Sequence, residues 1–260
     1  METELIRPVV KIGNSSGVIL PKSWINQEAR VEIIIKNPSD ILASLLDILK
    51  NEIPLNKVLG IYLTGSYARK EEKIDSDIDV LIITDNINKS FKKGKYELLL
   101  ISKENLINSL KNNALPLLPM LKESMPLLNE VLINEFKSMH LTKKSIEWHI
   151  KTTKDAIKEN QSLIEMIKIL KEDKVDDSIA YSLILRLRGI YVLDCLKKNK
   201  SWSNEYLLKL IKKIAGSTLS YERYNYVKNE KGENKSKLSL KEAEKLLNHI
   251  IQKNNQQEKW

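Results

Sequence analysis

Glycine, serine and two aspartates occur at a spacing that suits phosphate chemistry. Gly65 and Ser66 follow one apolar segment, ten residues intervene, and Asp77 and Asp79 then stand at the start of the next apolar segment. Glycine lets a phosphate approach the backbone, and the N–H groups at a helix start attract its charge. Aspartates two residues apart on a strand project from the same face of a sheet. Because neighbouring carboxylates repel each other, a hard divalent cation would relieve that repulsion and gather phosphate oxygens.

The elements around these residues predict a mixed sheet. Three apolar segments predict strands that are covered on both faces: 58–64, 78–84 and 96–101. Residues 39–51 predict an amphipathic helix, and 113–138, apolar but broken by three prolines, predict short helices along the sheet edge. Glu97 is the only acidic residue in the third strand, where acids are rare without a task, so it is the candidate third carboxylate. The alternative is a glutamate that faces water.

With a strand before each half, this pattern resembles the signature of the minimal nucleotidyltransferases of the DNA polymerase β superfamily. Ala68 also matches that family's pattern, whereas the family often has glycine where Lys70 stands. The resemblance implies transfer of a nucleoside monophosphate from a Mg²⁺-bound or Mn²⁺-bound nucleoside triphosphate, with ATP as the expected donor, to a hydroxyl group. It implies a nucleotide-binding set of Gly65, Ser66, Arg69 and Ser76. It also implies a metal-binding and catalytic set of Asp77, Asp79 and Glu97.

The first 37 residues predict a small separate module. They contain strand-like pieces over 7–12 and 31–35, a turn-forming cluster between them and a helical piece from Lys22, all too short to bury a core alone. Residues 10–22 resemble the AbrB/SpoVT swapped-hairpin DNA-binding domains, which implies a homodimer through residues 7–36. By that resemblance the residues facing DNA are Arg7, Lys11, Asn14 and Lys22. Residues 1–50 carry no net charge, although 5–24 carry three basic and no acidic groups, so DNA binding and dimerisation alone both stay open.

The last 120 residues hold the whole excess of positive charge. The chain has a formal charge of +9, and residues 141–260 contain 25 basic and 16 acidic side chains. A basic region of this kind attracts polyanions, and the alternative is a lysine-rich solvated surface. Helices are predicted over 142–171, 176–198, 204–215 and 239–252. The region loosely resembles HEPN-type helical partners of nucleotidyltransferases, but Arg186 and Arg188 have no histidine at the HEPN nuclease spacing, so no RNase is expected.

The predicted fold class is therefore α+β or α/β: a swapped-hairpin β module, a polymerase-β-like mixed sheet with flanking helices, and a helical bundle. The expected domains are 1–37, 38–140 and 141–260. No run of 18 uncharged apolar residues is present, the N-terminus does not read as a secretory signal, and the single Cys195 excludes an internal disulfide. These features predict a cytoplasmic protein without a membrane partner.

Two functional hypotheses follow from the sequence. The first is a nucleotidyltransferase whose acceptor, a protein, an RNA or a small molecule, the sequence leaves open. The second is a dimeric AbrB-type DNA-binding regulator, or an antitoxin, whose nucleotidyltransferase fold only binds nucleotide. Its support is the N-terminal hairpin and the lysine at position 70.

Overall fold

A computed structural model of the chain describes residues 5, 7–31, 37–72, 76–228 and 237–257. The chain divides into two compact units, residues 1–36 and residues 37–260. The strand predicted over 31–35 falls on residues that, beyond Val31, lie outside the described ones. Among the described ranges, no helix combines the length and the apolar character needed to cross a membrane.

The first unit contains a β-hairpin. Strand β1 (Val9–Ile12) pairs antiparallel with β2 (Ser15–Val18), with Ile12 opposite Ser15. The two-residue connection begins at Gly13, whose φ of +59° lies in the region that favours glycine and that tight hairpin turns require. A 3-10 turn over Lys22–Trp24 follows. A hairpin of this size is marginally stable in isolation, so it needs a partner surface.

The second unit begins with a five-stranded mixed sheet in the order β5–β6–β4–β3–β7. Its strands are β3 (Val58–Leu63), β4 (Ile78–Thr84), β5 (Lys89–Lys93), β6 (Tyr96–Ser102) and β7 (Met125–Leu128). Strands β4 and β6 are parallel, and the other neighbouring pairs are antiparallel. The parallel pair matters for function because it sets the carboxylate-bearing ends of β4 and β6 side by side.

Helices cover both faces of the sheet. Helix α1 (Pro38–Leu49) packs on one face, and α2 (Gly65–Arg69) connects β3 to β4. The other face is covered by α3 (Lys103–Asn112), α4 (Leu118–Glu123) and α5 (Glu130–Lys137). Along β4 the side chains alternate: Ile78 and Val80 are buried against α1, whereas Leu81 is buried against α3–α5. Asp79 therefore projects from the face that α3–α5 cover.

The central strands agree with the sequence prediction, but the two edge strands were missed. The predicted strands over 58–64, 78–84 and 96–101 correspond to β3, β4 and β6 within one residue. Strand β5 reads Lys-Ser-Phe-Lys-Lys, the charged composition by which an edge strand avoids further pairing, and it lacks an apolar pattern. Strand β7 lies inside the proline-broken segment for which only helices were predicted, so that prediction was incomplete.

The described residues between 143 and 257 form the helical region. It contains α6 (Lys143–Ile169), α7 (Asp177–Lys197), α8 (Asn204–Ala215), α9 (Leu219–Lys228) and α10 (Leu240–Gln257). Helix α7 is central, with Leu183, Ile184 and Leu187 fully buried. Helix α10 begins with a cap, in which the Glu242 N–H donates to the Ser239 hydroxyl at 3.3 Å. Helix α9 was not predicted, because its tyrosines and polar residues form no clear apolar stripe. The division at residues 37 and 140 stays a prediction.

Candidate active site

The Gly–Ser corner (residues 64–66) turns the chain sharply from β3 into α2. Gly65 has a φ of +65°, and a Cβ atom at this position would lie 2.0 Å from Oδ2 of Asp79. The Thr64 N–H also donates to the Asp79 carbonyl oxygen at 2.9 Å. Glycine is thus required here for its backbone conformation and for the space that Asp79 occupies. The two halves of the sequence motif are in direct contact.

Asp79 lies beside Glu97 on the sheet. In the parallel pairing of β4 with β6, Asp79 is the register partner of Glu97. Asp77 precedes Asp79 by two residues, just before β4 begins. Asp79 is half-buried and Glu97 is exposed. Asp79 and Glu97 are therefore neighbours on adjacent strands, with Asp77 two residues before Asp79, and we call these three residues the carboxylate cluster.

The electrostatics of this cluster reflect like charges in close proximity. Burial raises the pKa of Asp79 above its ordinary value, and the charges of Glu97 and Asp77 raise it further. Two cations, Lys228 of α9 and Arg69 of α2, oppose this increase. A raised pKa means that the folded protein disfavours the charged form of this carboxylate. The cluster would be stabilised by additional positive charge.

The residue types of this cluster fit a hard divalent cation. Mg²⁺ and Mn²⁺ prefer carboxylate oxygens, and the repulsion that raises the pKa of Asp79 is what such a cation relieves. In the described part of the chain, no three His, Cys, Asp or Glu side chains converge around one point. The Asp77 carboxylate instead pairs with Lys92 Nζ at 2.8 Å. Lys92, on β5, was not identified from the sequence. Its ammonium group supplies the positive charge beside Asp77 that a metal cation would otherwise supply.

The residues expected to hold phosphates differ in their surroundings. Ser66 and Ser76 are half-buried, Ser66 in the corner and Ser76 directly before Asp77. Arg69 is engaged within the protein: its Nε donates to Glu71 at 2.9 Å and its Nη1 to Glu123 at 2.7 Å. The corner, Asp79 and Glu97 are thus brought together, whereas the Arg69 guanidinium is directed into an ion-pair network.

Glu123 is a second residue that the sequence analysis missed. Its side chain is 8% exposed, and its Oε1 accepts the Gly65 N–H at 2.8 Å while its Oε2 accepts from Arg69. The signal that was available is its position as an acid within the apolar, proline-broken segment 113–128. A buried carboxylate needs partners of this kind, and here both belong to α2.

Helix α9 and the neighbouring α7 contribute an aromatic and cationic surface. Tyr224 stacks on Tyr221 at 5.8 Å between ring centroids, and its hydroxyl accepts from Arg188 at 3.3 Å. Burial raises the pKa of Tyr221, whereas the charges of Arg188 and Arg69 oppose this rise. The charge of Lys228, the last residue of α9, also opposes the rise in the pKa of Asp79.

The residues expected to contact DNA belong to the first unit. All of them are exposed on or near the hairpin: Arg7, Lys11, Asn14 and Lys22. Lys11 lies on β1 opposite Ser16, and Asn14 lies in the turn. The hairpin also exposes apolar side chains, with Val9 at 58% and Ile12 at 55%. Its surface therefore combines basic groups with uncovered apolar groups.

Comparison with known proteins gives one family match and several distant structural likenesses, two of which are described here. A family model described as a nucleotidyltransferase domain matches residues 42–184, more than half of the chain. The spectinomycin adenyltransferase of Enterococcus faecialis, solved with ATP and spectinomycin, aligns with a TM-score of 0.42 at 14% identity, over 84% of this chain and 100% of its own. A nucleotidyltransferase-like protein from Exiguobacterium sibiricum aligns with a TM-score of 0.36 at 10% identity, over 84% of this chain and 74% of its own. No curated protein matches the sequence significantly.

Proposed function

This chain belongs to the nucleotidyltransferase domain family, and from that premise we propose that it transfers a nucleoside monophosphate from ATP to a hydroxyl group of an acceptor. The observation that supports this most is the contact of the corner with the carboxylates: Gly65 packs on Asp79, and Asp79 lies beside Glu97. A triphosphate bound at the corner would stand next to carboxylate oxygens that could share a cation with it.

Each residue of the site has a proposed role. Gly65, Ser66 and Ser76 bind the phosphates through the backbone N–H groups and hydroxyls near the corner. Asp77, Asp79 and Glu97 would hold Mg²⁺ or Mn²⁺, which when bound neutralises charge on the attacking and leaving oxygens of an in-line displacement. Arg69 belongs to the phosphate-binding set by resemblance, but its contacts favour the different role argued below.

The proposed chemical step uses Glu97 as the general base. Its exposed carboxylate takes the proton of the acceptor hydroxyl as the acceptor oxygen bonds to the α-phosphorus. The bond between the α-phosphorus and the bridging oxygen to the β-phosphate breaks, and pyrophosphate leaves with that oxygen. We assign Tyr221 and Lys228 of α9 to contacts with the acceptor or the leaving group, since the charge of Lys228 acts on Asp79. The basic helical region suits an anionic macromolecule as acceptor, and a protein or small molecule stays an alternative.

The test is transfer of label from ATP with the phosphorus labelled at either the α- or the γ-position. The purified protein, Mg²⁺ and an extract of the source cells should yield a product labelled from α-labelled ATP and not from γ-labelled ATP. Digestion of that product with protease or RNase identifies the acceptor class. Asp77→Asn should abolish labelling, whereas Asp85→Asn, an exposed aspartate paired with Lys57, should not. Undiminished labelling by the double variant Asp77→Asn, Asp79→Asn would contradict the proposal.

A second candidate function, DNA binding by a dimer, is supported by the surface of the hairpin. Val9 and Ile12 are exposed on strands of four residues each, and a second copy of the hairpin would cover them. Sedimentation should then show a dimer for the full chain and a monomer for residues 37–260. If the dimer binds DNA, Arg7→Gln and Lys11→Gln should weaken a gel shift and lower its dependence on salt by about one phosphate contact each. Lys143→Gln in the second unit is the matched control, and equal loss in that variant would argue against the hairpin.

A further inference from the structure

Helix α2 is held at both of its ends by one carboxylate. Glu123 accepts the N–H of Gly65, the first residue of α2, at 2.8 Å and the guanidinium of Arg69, the last residue, at 2.7 Å. Both side chains are largely withdrawn from water, at 8% exposure for Glu123 and 10% for Arg69. Because a charged pair at such depth needs good geometry to persist, the distance between the two ends of α2 is constrained.

The helical region completes this arrangement through Trp202. The ring of Trp202 lies 4.1 Å from the Arg69 guanidinium carbon and is 8% exposed. Arg188 lies 5.4 Å from the same ring. In addition, the N–H of Asn204, where α8 begins, donates to Glu71 at 3.3 Å, and Glu71 also accepts from Arg69. Residues that approach from α4 and from the loop before α8 therefore meet at Arg69.

The charge of Arg69 is already compensated. Its guanidinium faces two carboxylates, Glu71 and Glu123, and an aromatic ring that also favours a cation. Burial alone would lower the pKa of Arg69, but the two carboxylates outweigh it and hold the pKa above its ordinary value. A nucleotide phosphate that approached this guanidinium would be repelled by Glu71 and Glu123.

We infer that Arg69, Glu123 and Trp202 form a corner strut, a set of positioning residues that holds the Gly–Ser corner against Asp79, and that Arg69 does not bind phosphate. The inference rests on the proposed function, since the corner matters only where a nucleotide binds. Through Trp202 the strut also joins the corner to the helical region, so the two sides of the site are held as one body.

The direction in which the affinity for MgATP changes in one variant distinguishes the corner strut from an Arg69 that binds phosphate. Glu123→Gln keeps the size of the side chain but removes its charge. If Arg69 bound phosphate, losing the competing carboxylate would free the guanidinium and tighten binding of MgATP. If the strut is correct, the corner loosens: affinity for MgATP, measured by calorimetry, does not rise, and kcat falls on the order of 100-fold, as for other misplacements of about 1 Å. Tighter binding of MgATP by Glu123→Gln would overturn the inference.

Trp202 supplies a test that leaves every charge in place. Trp202→Ala should lower kcat with little change in KM, and Trp202→Phe, which retains a ring over Arg69, should restore most of the loss. Trp148→Ala, at an exposed tryptophan of α6, is the matched control and should behave as the unmodified chain. A loss that Trp202→Phe does not restore, or one that Trp148→Ala shares, would contradict a specific contact with Arg69.

Amide hydrogen exchange does not require catalytic turnover, so it tests this inference independently of the proposed function. Amide hydrogen exchange of the peptide that contains residues 65–69 should accelerate in Glu123→Gln and Trp202→Ala relative to the unmodified chain, even if no acceptor is found. A chain that binds MgATP but transfers nothing would refute the proposed function, whereas unchanged exchange in residues 65–69 would refute the strut. If either variant unfolds, Arg69→Lys, which retains the charge but not the two-pronged geometry, replaces it in the same measurement.

Discussion

Replacing Gly65 with alanine adds one methyl group where the Gly–Ser corner touches Asp79. The φ of +65° places Gly65 in a region that costs a residue with a side chain about 1–2 kcal/mol. The new Cβ atom would lie 2.0 Å from Oδ2 and 2.9 Å from Cγ of Asp79, so the carboxylate or the corner must move. Overpacking of this kind adds about 1–3 kcal/mol. The expected total loss of unfolding free energy is therefore about 2–5 kcal/mol.

Gly94 provides a matched control for the backbone contribution. It has a φ of +58°, nearly that of Gly65, and a Cβ atom there would meet nothing within 4 Å. Gly94→Ala should therefore lose only the conformational contribution of about 1–2 kcal/mol. The difference between the two variants, measured by urea unfolding, isolates the clash with Asp79.

Activity should separate the variants further. Gly65→Ala displaces the Asp79 carboxylate or the corner by about 1 Å, and misplacement on that scale costs on the order of 100-fold in rate. Gly94→Ala, in the turn between β5 and β6, should retain the activity of the unmodified chain. Equal stability and equal transfer in the two variants would refute the contact between the corner and Asp79. In an Asp79→Ala background the clash should largely disappear, leaving a coupling energy of about 1–3 kcal/mol.

Three further changes test other parts of the structure. Lys70 ends α2 with a φ of +57°, so Lys70→Gly should raise the unfolding free energy by up to about 1 kcal/mol, and a loss in urea unfolding would contradict this backbone conformation. Lys92→Met should strengthen Mn²⁺ binding up to about fivefold in calorimetry, because it removes the cation that pairs with Asp77. Weaker Mn²⁺ binding would show instead that Lys92 contributes to binding of the ligand. Burial and the charge of Arg186 lower the pKa of His149 to about 4, below its unfolded value, so stability should fall by roughly 3 kcal/mol as the pH drops from about 6.5 to 4. His149→Gln should remove that part of the pH dependence of stability. If the pH dependence were the same in this variant, His149 would have to be charged in the folded protein.

The Gly–Ser corner and the aspartate pair could be predicted from the sequence because the residues that form each of them are close together in the chain. A strand, a glycine turn and a short helix follow one another in the chain, so the order of residues 58–69 already implies a corner. The alternation along β4 places Asp77 and Asp79 on one face for the same reason. Glu97 was proposed as the third carboxylate because it is the only acid in the third strand, and its place beside Asp79 depends on the parallel pairing of β4 with β6.

Contacts between distant residues could not be predicted in this way. Glu123 meets Gly65 across 58 positions, and Asn204 meets Glu71 across 133. Such pairs depend on where α4 and α8 pack, and many arrangements of these helices bury their apolar faces equally well. Lys92 was missed for a related reason, because β5 carries the polar composition of an edge strand and only its pairing with β6 brings Lys92 beside Asp77.

The spacing of Gly65, Ser66, Asp77 and Asp79, with a strand before each half, was sufficient without coordinates to indicate the family, because the joint pattern is far more specific than either half. The task of Arg69 was decided by packing alone. A guanidinium after a Gly–Ser turn is equally able to bind a phosphate or a carboxylate, and the choice depends on which anion the fold brings within reach. In this chain the anions are Glu71 and Glu123, and Trp202 covers the third side.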